Sequence, residues 1–225
     1  MAKMLLILAC ALFAAAPVMA AGQLEYTLLS DFPSPGPSPQ GLAWDGEALW
    51  CVDDSTDTVY RLDPDTGDVL HSFPSPDSTP KGITWDGSHL WIAESDAEKL
   101  FQVDAGTGEI MKSLDAHYST REDTHWPLMS LGWDGEMLWC NYSAGYSSKI
   151  AMVDPETGDF ERTEFFEQYD GMAWRHDGLW GVKMNGIFTS RVEYRDFIND
   201  TYKTEVPQYF ATGLAANESL SLIHI

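Results

Sequence analysis

The chain has 225 residues, 44% of them hydrophobic, with 35 Asp and Glu against 13 Lys and Arg for a net charge of −22. That length and apolar content suit one domain with a sizeable core. So acidic a surface repels nucleic-acid phosphates and anionic lipid, which excludes nucleic acid as a partner and leaves cationic groups and divalent ions open.

Residues 1–21 stand apart from the rest. Lys3 gives a short positive start, residues 4–16 are an apolar run, and Val18-Met19-Ala20 forms a small-residue cleavage pattern. This is the layout of a secretory signal peptide. The run is too short for a comfortable membrane span, and no other segment is apolar enough for one. A secreted or periplasmic protein without membrane insertion is therefore expected. Only Cys51 and Cys140 remain after the leader. They occupy one position in two non-adjacent repeats, too far apart for a disulfide.

The next segment, Leu28-Leu29-Ser30-Asp31-Phe32-Pro33-Ser34-Pro35, lies 41 residues before Val69-Leu70-His71-Ser72-Phe73-Pro74-Ser75-Pro76. It reads as the last strand of a repeat whose first three strands do not precede it. Such a strand is expected to complete the final unit of a ring and to cover an open sheet edge.

The repeat itself begins with Gly41-Leu42-Ala43-Trp44-Asp45-Gly46. It returns as Gly82-Ile83-Thr84-Trp85-Asp86-Gly87, as Ser130-Leu131-Gly132-Trp133-Asp134-Gly135, and as Gly171-Met172-Ala173-Trp174. Each copy leads to a Leu-Trp pair ending in Trp50, Trp91, Trp139 or Trp180, so eight of the nine tryptophans fill two repeat positions. The spacings Trp44 to Trp85, Trp85 to Trp133 and Trp133 to Trp174 are 41, 48 and 41 residues. At such regular positions the indoles are expected to pack between neighbouring units.

Within one unit the pattern predicts four short strands, at residues 41–44 (A), 48–52 (B), 58–62 (C) and 68–73 (D). Asp45-Gly46 makes the tight A–B turn. Asp63-Pro64-Asp65-Thr66-Gly67 makes the C–D turn, with proline and glycine where a type I turn wants them. Its copies are Asp104-Ala105-Gly106-Thr107-Gly108-Glu109 and Asp154-Pro155-Glu156-Thr157-Gly158-Asp159. These acidic turns alternate oxygens but lack the later glutamate of a calcium loop, so turn chemistry is their expected role. No cofactor is expected, a divalent cation being the one left open. Four antiparallel strands recurring at 40–50 residues describe a propeller blade.

The fold class expected is all-β, a propeller of four-stranded antiparallel blades over residues 22–219. Blades start near residues 40, 81, 129 and 170, with a partial start at 212 where Gly213-Leu214-Ala215-Ala216-Asn217 opens a fifth copy. That makes about four blades plus the closing strand, of six or seven expected in the full protein. Leu220-Ser221-Leu222-Ile223-His224-Ile225 is the translation of a transposon end used to fragment DNA for sequencing. Native sequence is expected to stop near Ser219.

Strands that alternate in direction put the B–C turns and the D-to-A connections on one face. These loops vary from unit to unit, as binding loops on a rigid scaffold do. The residues before each strand A are Gln40, Lys81, Met129 and Asp170, expected nearest the central channel. With Asp53, Glu94 and Lys183 on the adjacent turns they predict a concave mouth of mixed charge. Gln40, Asp53, Lys81, Glu94, Asp170 and Lys183 are the candidate ligand-binding residues. A seven-residue expansion within residues 115–126 brings His117, Tyr118, Arg121, Asp123, His125 and Trp126 to the same face. His117, Asp123 and His125 are its metal candidates, although a solvated loop is the expectation, since their spacing matches no helix or hairpin ligand set. The expected function is a binding scaffold for a small molecule, a glycan or a protein.

The motif glycine-apolar-x-Trp-Asp-Gly, then Leu-Trp, then a carboxylate, then a strand ending in Asp-x-x-Thr-Gly resembles the six-bladed propellers. These include the NHL repeat proteins, the streptogramin (virginiamycin B) lyases and the gluconolactonase-like proteins. The resemblance covers residues 24–219. Gluconolactonase-like enzymes hold calcium or zinc through residues just before the strand-A glycine. Here Lys81 and Met129 at those places are poor ligands for a hard cation. Streptogramin lyases show a Leu-Trp-x-x-Glu similar to Leu90-Trp91-Ile92-Ala93-Glu94, their catalytic histidine and glutamate coming from later blades. Propeller-type glutaminyl cyclases resemble the chain at Gln40-Gly41-Leu42, at Gly145-Tyr146-Ser147-Ser148 and at Val153-Asp154-Pro155-Glu156-Thr157-Gly158. They carry a glutamate after the Leu-Tyr pair, where Cys51 stands here. The resemblance thus implies a lyase or a cyclase as alternatives to a binding scaffold.

Overall fold

The computed structural model describes residues 3–8, 27–118, 126–144, 147–162, 169–175, 178–184, 190–196, 201–204, 214–216 and 221–224. Strands β1 (Lys3–Leu8) and β2 (Thr27–Pro33) precede four consecutive meanders. The first is β3 (Pro39–Trp44), β4 (Leu49–Asp53), β5 (Thr58–Leu62) and β6 (Val69–Pro74). The second is β7 (Pro80–Trp85), β8 (Leu90–Glu94), β9 (Lys99–Val103) and β10 (Ile110–Asp115). The third is β11 (Leu128–Trp133), β12 (Leu138–Ala144), β13 (Ser147–Val153) and β14 (Phe160–Arg162), and the fourth is β15 (Gly171–Arg175), β16 (Gly178–Met184), β17 (Ser190–Asp196) and β18 (Thr201–Thr204). Each meander is one open antiparallel sheet paired in chain order. A fifth sheet joins the two ends of the chain. It takes β19 (Leu214–Ala216) and β20 (Ser221–His224) with β1 and β2, in the order β19-β20-β1-β2. Its outer edge is β2, the position expected of a closing D strand. Two of its members, β1 and β20, fall in the segments that the sequence sets apart as leader and adapter. Among the described residues no helix is long and apolar enough to cross a membrane.

The first strands β3, β7, β11 and β15 stand side by side, and β19 lies against both β15 and β3. The repeat glycine makes this approach feasible. A Cβ on Gly41 would lie 3.0 Å from the Lys81 carbonyl oxygen and the Ile83 nitrogen, and one on Gly82 would lie 2.7 Å from the Leu131 nitrogen. The third unit has Ser130 at this position, buried, with its hydroxyl donating to the Tyr169 carbonyl at 3.0 Å.

The core is divided into layers between neighbouring blades. Trp50, Val52, Val59 and Phe73 of the first blade pack on Ile83, Leu90 and Ile92 of the second. Trp91, Leu100 and Leu114 pack on Leu131, Leu138 and Cys140 of the third, and Trp139 and Ile150 pack on Met172 and Leu179 of the fourth. Phe32 of β2 packs on Leu42, Leu49, Cys51 and Leu62, which ties the fifth sheet to the first blade. Burial of these side chains is the main stabilising term of the fold.

The motif residues bond within their own blade. Asp45 accepts the amides of Glu47 and Ala48 through one oxygen and the Trp50 indole N–H, at 2.8 Å, through the other. Asp86 does the same for Ser88, His89 and Trp91, and Asp134 for Glu136, Met137 and Trp139. Burial works against the charge on Asp45 and Asp86, but these donors outweigh it and hold both carboxyls below the usual carboxylate range. The acidic C–D turns are built likewise: Asp63, Asp104 and Asp154 each cap two amides of their own turn. This is the turn chemistry the sequence implies.

Two outcomes follow. Asp86→Ala leaves an indole N–H and two amides without their acceptor, and we expect urea denaturation to show a loss of about 1–3 kcal/mol. A chain beginning at residue 22 leaves β2 without β1, and an unpaired edge of this kind recruits other chains. Size-exclusion chromatography should then show self-association, whereas a monomer that melts cooperatively would contradict this.

Candidate functional site

The described mouth is built on two buried anchors. Asp53 ends β4 with no exposed surface. One of its oxygens accepts the Ser38 amide at 2.7 Å from the connection into β3, and the other accepts the amides of Ser55 and Thr56 in the B–C turn. Glu94 holds the equivalent position in β8, also fully buried. It accepts the Ser75 hydroxyl at 2.6 Å, the Asp77 amide and the Thr79 amide, all from the connection into β7. In the third blade the position is Tyr142, whose phenol donates to the Ala116 carbonyl at 2.9 Å. Carboxylate, carboxylate and phenol thus do one job in the first three blades, fastening the connections into β3, β7 and β11 to the blade each enters. The structure therefore places Asp53 and Glu94 beneath the loops rather than on their open surface.

The open surface has other residues. Lys81, the residue before Gly82, sends its ammonium across the blade boundary to Asp54 Oδ2 at 2.5 Å. Both side chains remain about one-fifth exposed, 22% each. Gln40 donates to the Ser38 hydroxyl at 3.1 Å beside them. Burial pushes the Asp54 carboxyl up, but hydrogen bonds from Lys81, Ser38 and Gln40 overcome it and hold the group below the usual range. Lys81 and Asp170 line an axial cavity with Gly41-Leu42 of β3, Gly82-Ile83 of β7, Ser130-Leu131 of β11 and Gly171-Met172 of β15, with room for about one water molecule. The Asp170 amide donates to the Val182 carbonyl at 2.8 Å. Lys183 lies in β16, with a side chain outside the described residues.

Asp54 is the member that reading the chain by repeat position missed. Asp54 follows the end of β4 and opens the B–C turn, where its amide donates to the Ser38 carbonyl at 3.1 Å and its carboxylate meets Lys81. The doubled aspartate was the available signal.

The expansion between β10 and β11 behaves differently from expectation. Its ends are not solvated: Tyr118 and Trp126 are buried and stack at 5.8 Å in an edge contact, with Tyr142 5.0 Å from Tyr118. Aromatic area outweighs polarity at these two positions. His117 is bonded to Glu98. The other metal candidates, Asp123 and His125, lie outside the described residues. Among the described residues no three His, Cys, Asp or Glu side chains come together as a ligand set.

Buried Glu94 yields a pH signature. Burial raises its carboxyl above the ordinary value of 4.5 despite its three donors. The folded state therefore holds the Glu94 proton more tightly than the unfolded chain does. This contribution to stability is fully present below pH 4.5 and is lost as pH rises through the folded-state value. Glu94→Gln cannot titrate. The stability difference between wild type and variant should therefore move in the variant's favour as pH rises from 4.5, which urea midpoints across pH will show.

No family model matches the chain, and no curated protein matches it in sequence. Solved structures do. Myxococcus xanthus glutaminyl cyclase is similar at a TM-score of 0.60 and 12% identity, over 83% of this chain and 88% of that one. A chain of a nidogen/laminin complex is similar at 0.55 and 17%, over 85% and 72%. The Dos1 propeller is similar at 0.51 and 16%, over 82% and 52%, so this chain spans about half of that one's length. Likeness at such identities speaks for the fold, and the fold agrees with the sheets arranged around an axis: the chain is a β-propeller.

Proposed function

We propose that the protein is an exported binding propeller that holds a small molecule, a glycan or a protein on the face of its B–C turns and D-to-A connections. Gln40, Asp54, Lys81 and Asp170 stand at the centre of that face. The observation that carries the reading is the Lys81–Asp54 pair, which joins two blades at the mouth of an axial cavity. A cation and an anion fixed by different blades present both signs of charge at a set spacing. The anchors Asp53, Glu94 and Tyr142 hold the surrounding connections in place, so little ordering is required on binding. The cavity below has room for only about one water, so a ligand sits on the mouth and reaches in no further than a single polar group.

A second reading has one specific observation in its favour. The match to a glutaminyl cyclase covers 88% of that enzyme's chain, and Gln40-Gly41-Leu42 resembles the start of its repeat. Against it, the place of the cyclase glutamate is held by Cys51, which is fully buried. Burial and the nearby Asp53 raise the Cys51 thiol far above its ordinary value, so it stays protonated and offers no base. The binding reading is the better supported of the two.

Thermal shift against a panel of mono- and disaccharides, dipeptides and small carboxylates is the direct test. A ligand that stabilises the wild type should bind Lys81→Met and Asp54→Asn about tenfold or more weakly, the loss of one charged hydrogen bond. Ligand binding equal in all three proteins would move the site off the mouth. Release of ammonia from a dipeptide with N-terminal glutamine would favour the cyclase instead. Export through residues 1–21 predicts a mature protein beginning at Gly22, which N-terminal sequencing of material from the medium or periplasm will read.

A further inference from the structure

The outer wall of the propeller carries a feature that neither the mouth nor the core uses. Among the described residues, the exposed large hydrophobic side chains are Val69, Leu70, Ile110 and Met111, each close to half exposed. They form two pairs at one repeat position, on the outermost strands β6 and β10. Adjacent residues of a regular strand point to opposite faces, and a break in the ladder accounts for their joint exposure. Leu62 faces Val69 and Arg61 faces His71, so Leu70 has no partner across the strand. Val103 faces Ile110 and Gln102 faces Lys112, so Met111 is skipped in the same way. Bulges of this kind re-aim side chains and prevent another strand from simply adding to the edge. In β14, Val153 faces Phe160 and Met152 faces Glu161 without a break, and the series ends there.

Two consecutive outer edges, β6 and β10, thus share an apolar bulge with its exposed pair on view. Acidic residues frame it. Asp65 and Asp68 precede Val69, and Glu109 precedes Ile110, all exposed. The cation on the same strand, Lys112, is committed to the carbonyls of Pro155 and Glu156 on the next blade. A second copy of the chain would set carboxylate against carboxylate around this patch, at a net charge of −22 for each copy. A segment that alternates apolar and basic residues meets both halves of it.

We propose that the outer wall formed by β6 and β10 is a docking surface for an extended cationic-apolar segment of a partner protein, with Val69, Leu70, Ile110 and Met111 as its apolar contacts and Asp68 and Glu109 as its acidic frame. The surface is separate from the mouth, so its failure leaves the mouth unaffected.

The test uses fluorescence anisotropy with a labelled synthetic peptide of alternating Lys and Leu, and a Lys/Ser peptide of equal charge as comparison. The full chain should bind the Lys/Leu peptide about tenfold more tightly than the Lys/Ser peptide, and the double variant Leu70→Ser, Met111→Ser should remove that advantage. A second double variant, Asp68→Lys with Glu109→Lys, keeps the apolar pairs and should weaken Lys/Leu binding by a similar factor. Circular dichroism establishes that each variant is folded, and either one alone decides the matter. Equal binding of the two peptides, or Lys/Leu binding unchanged in a folded variant, overturns the proposal. So does sedimentation showing wild-type self-association that the Leu70→Ser, Met111→Ser protein lacks, since a second copy would then cover the wall.

Discussion

The rest of the structure depends on how closely the first strands of neighbouring blades approach the axis. At Gly41 and Gly82 backbone meets backbone, and a single methyl group would fall within 2.7–3.0 Å of the next strand. That contact sets the angle at which the following three strands fan outward, and the tryptophans and aliphatic side chains then fill the wedge between sheets. It also narrows the axis to about the width of a water molecule.

Much of this was legible in the sequence because the repeat is written in residues with one structural use each. Asp-Gly marks the A–B turn, where the structure shows Gly46, Gly87 and Gly135 with φ near +100°, a conformation glycine adopts freely. Asp-x-x-Thr-Gly marks the C–D turn. Phe32 and Phe73, 41 residues apart, pack over Gly67 and Gly108 in turn, which is why β2 could be read as a D strand. The anchors were harder. Asp53, Glu94 and Tyr142 share a job but not a side-chain chemistry, so an alignment by residue type separates them. Their partners are loop amides, hydroxyls and carbonyls, which carry no sequence signal. The carboxylates drew notice as binding residues, and only the geometry shows them turned inward. The aromatic contact of Tyr118 with Trp126 was hidden similarly, since seven intervening residues of mostly polar character resemble a solvated loop.

Two surfaces result, and their chemistry differs. The mouth offers a fixed ion pair above a small cavity lined mainly by glycine and aliphatic residues, and the ligand proposed for it is a small group of mixed charge. The wall offers exposed aliphatic side chains within a carboxylate frame, suited to an extended cationic segment. Both rest on the same scaffold. The buried anchors stiffen the connections around the mouth, while the bulges hold the wall residues outward at constant repeat positions.

The most direct test of this account is the equilibrium stability of Gly82→Ala. The new methyl group would sit 2.7 Å from the Leu131 nitrogen and 2.9 Å from the Leu131 Cβ. In a chain with these backbones packed at the axis, the variant should lose about 2 kcal/mol or more in urea, the scale of an overpacked core. A variant that unfolds at the same urea midpoint as the wild type would contradict the close approach and, with it, the placement of the mouth.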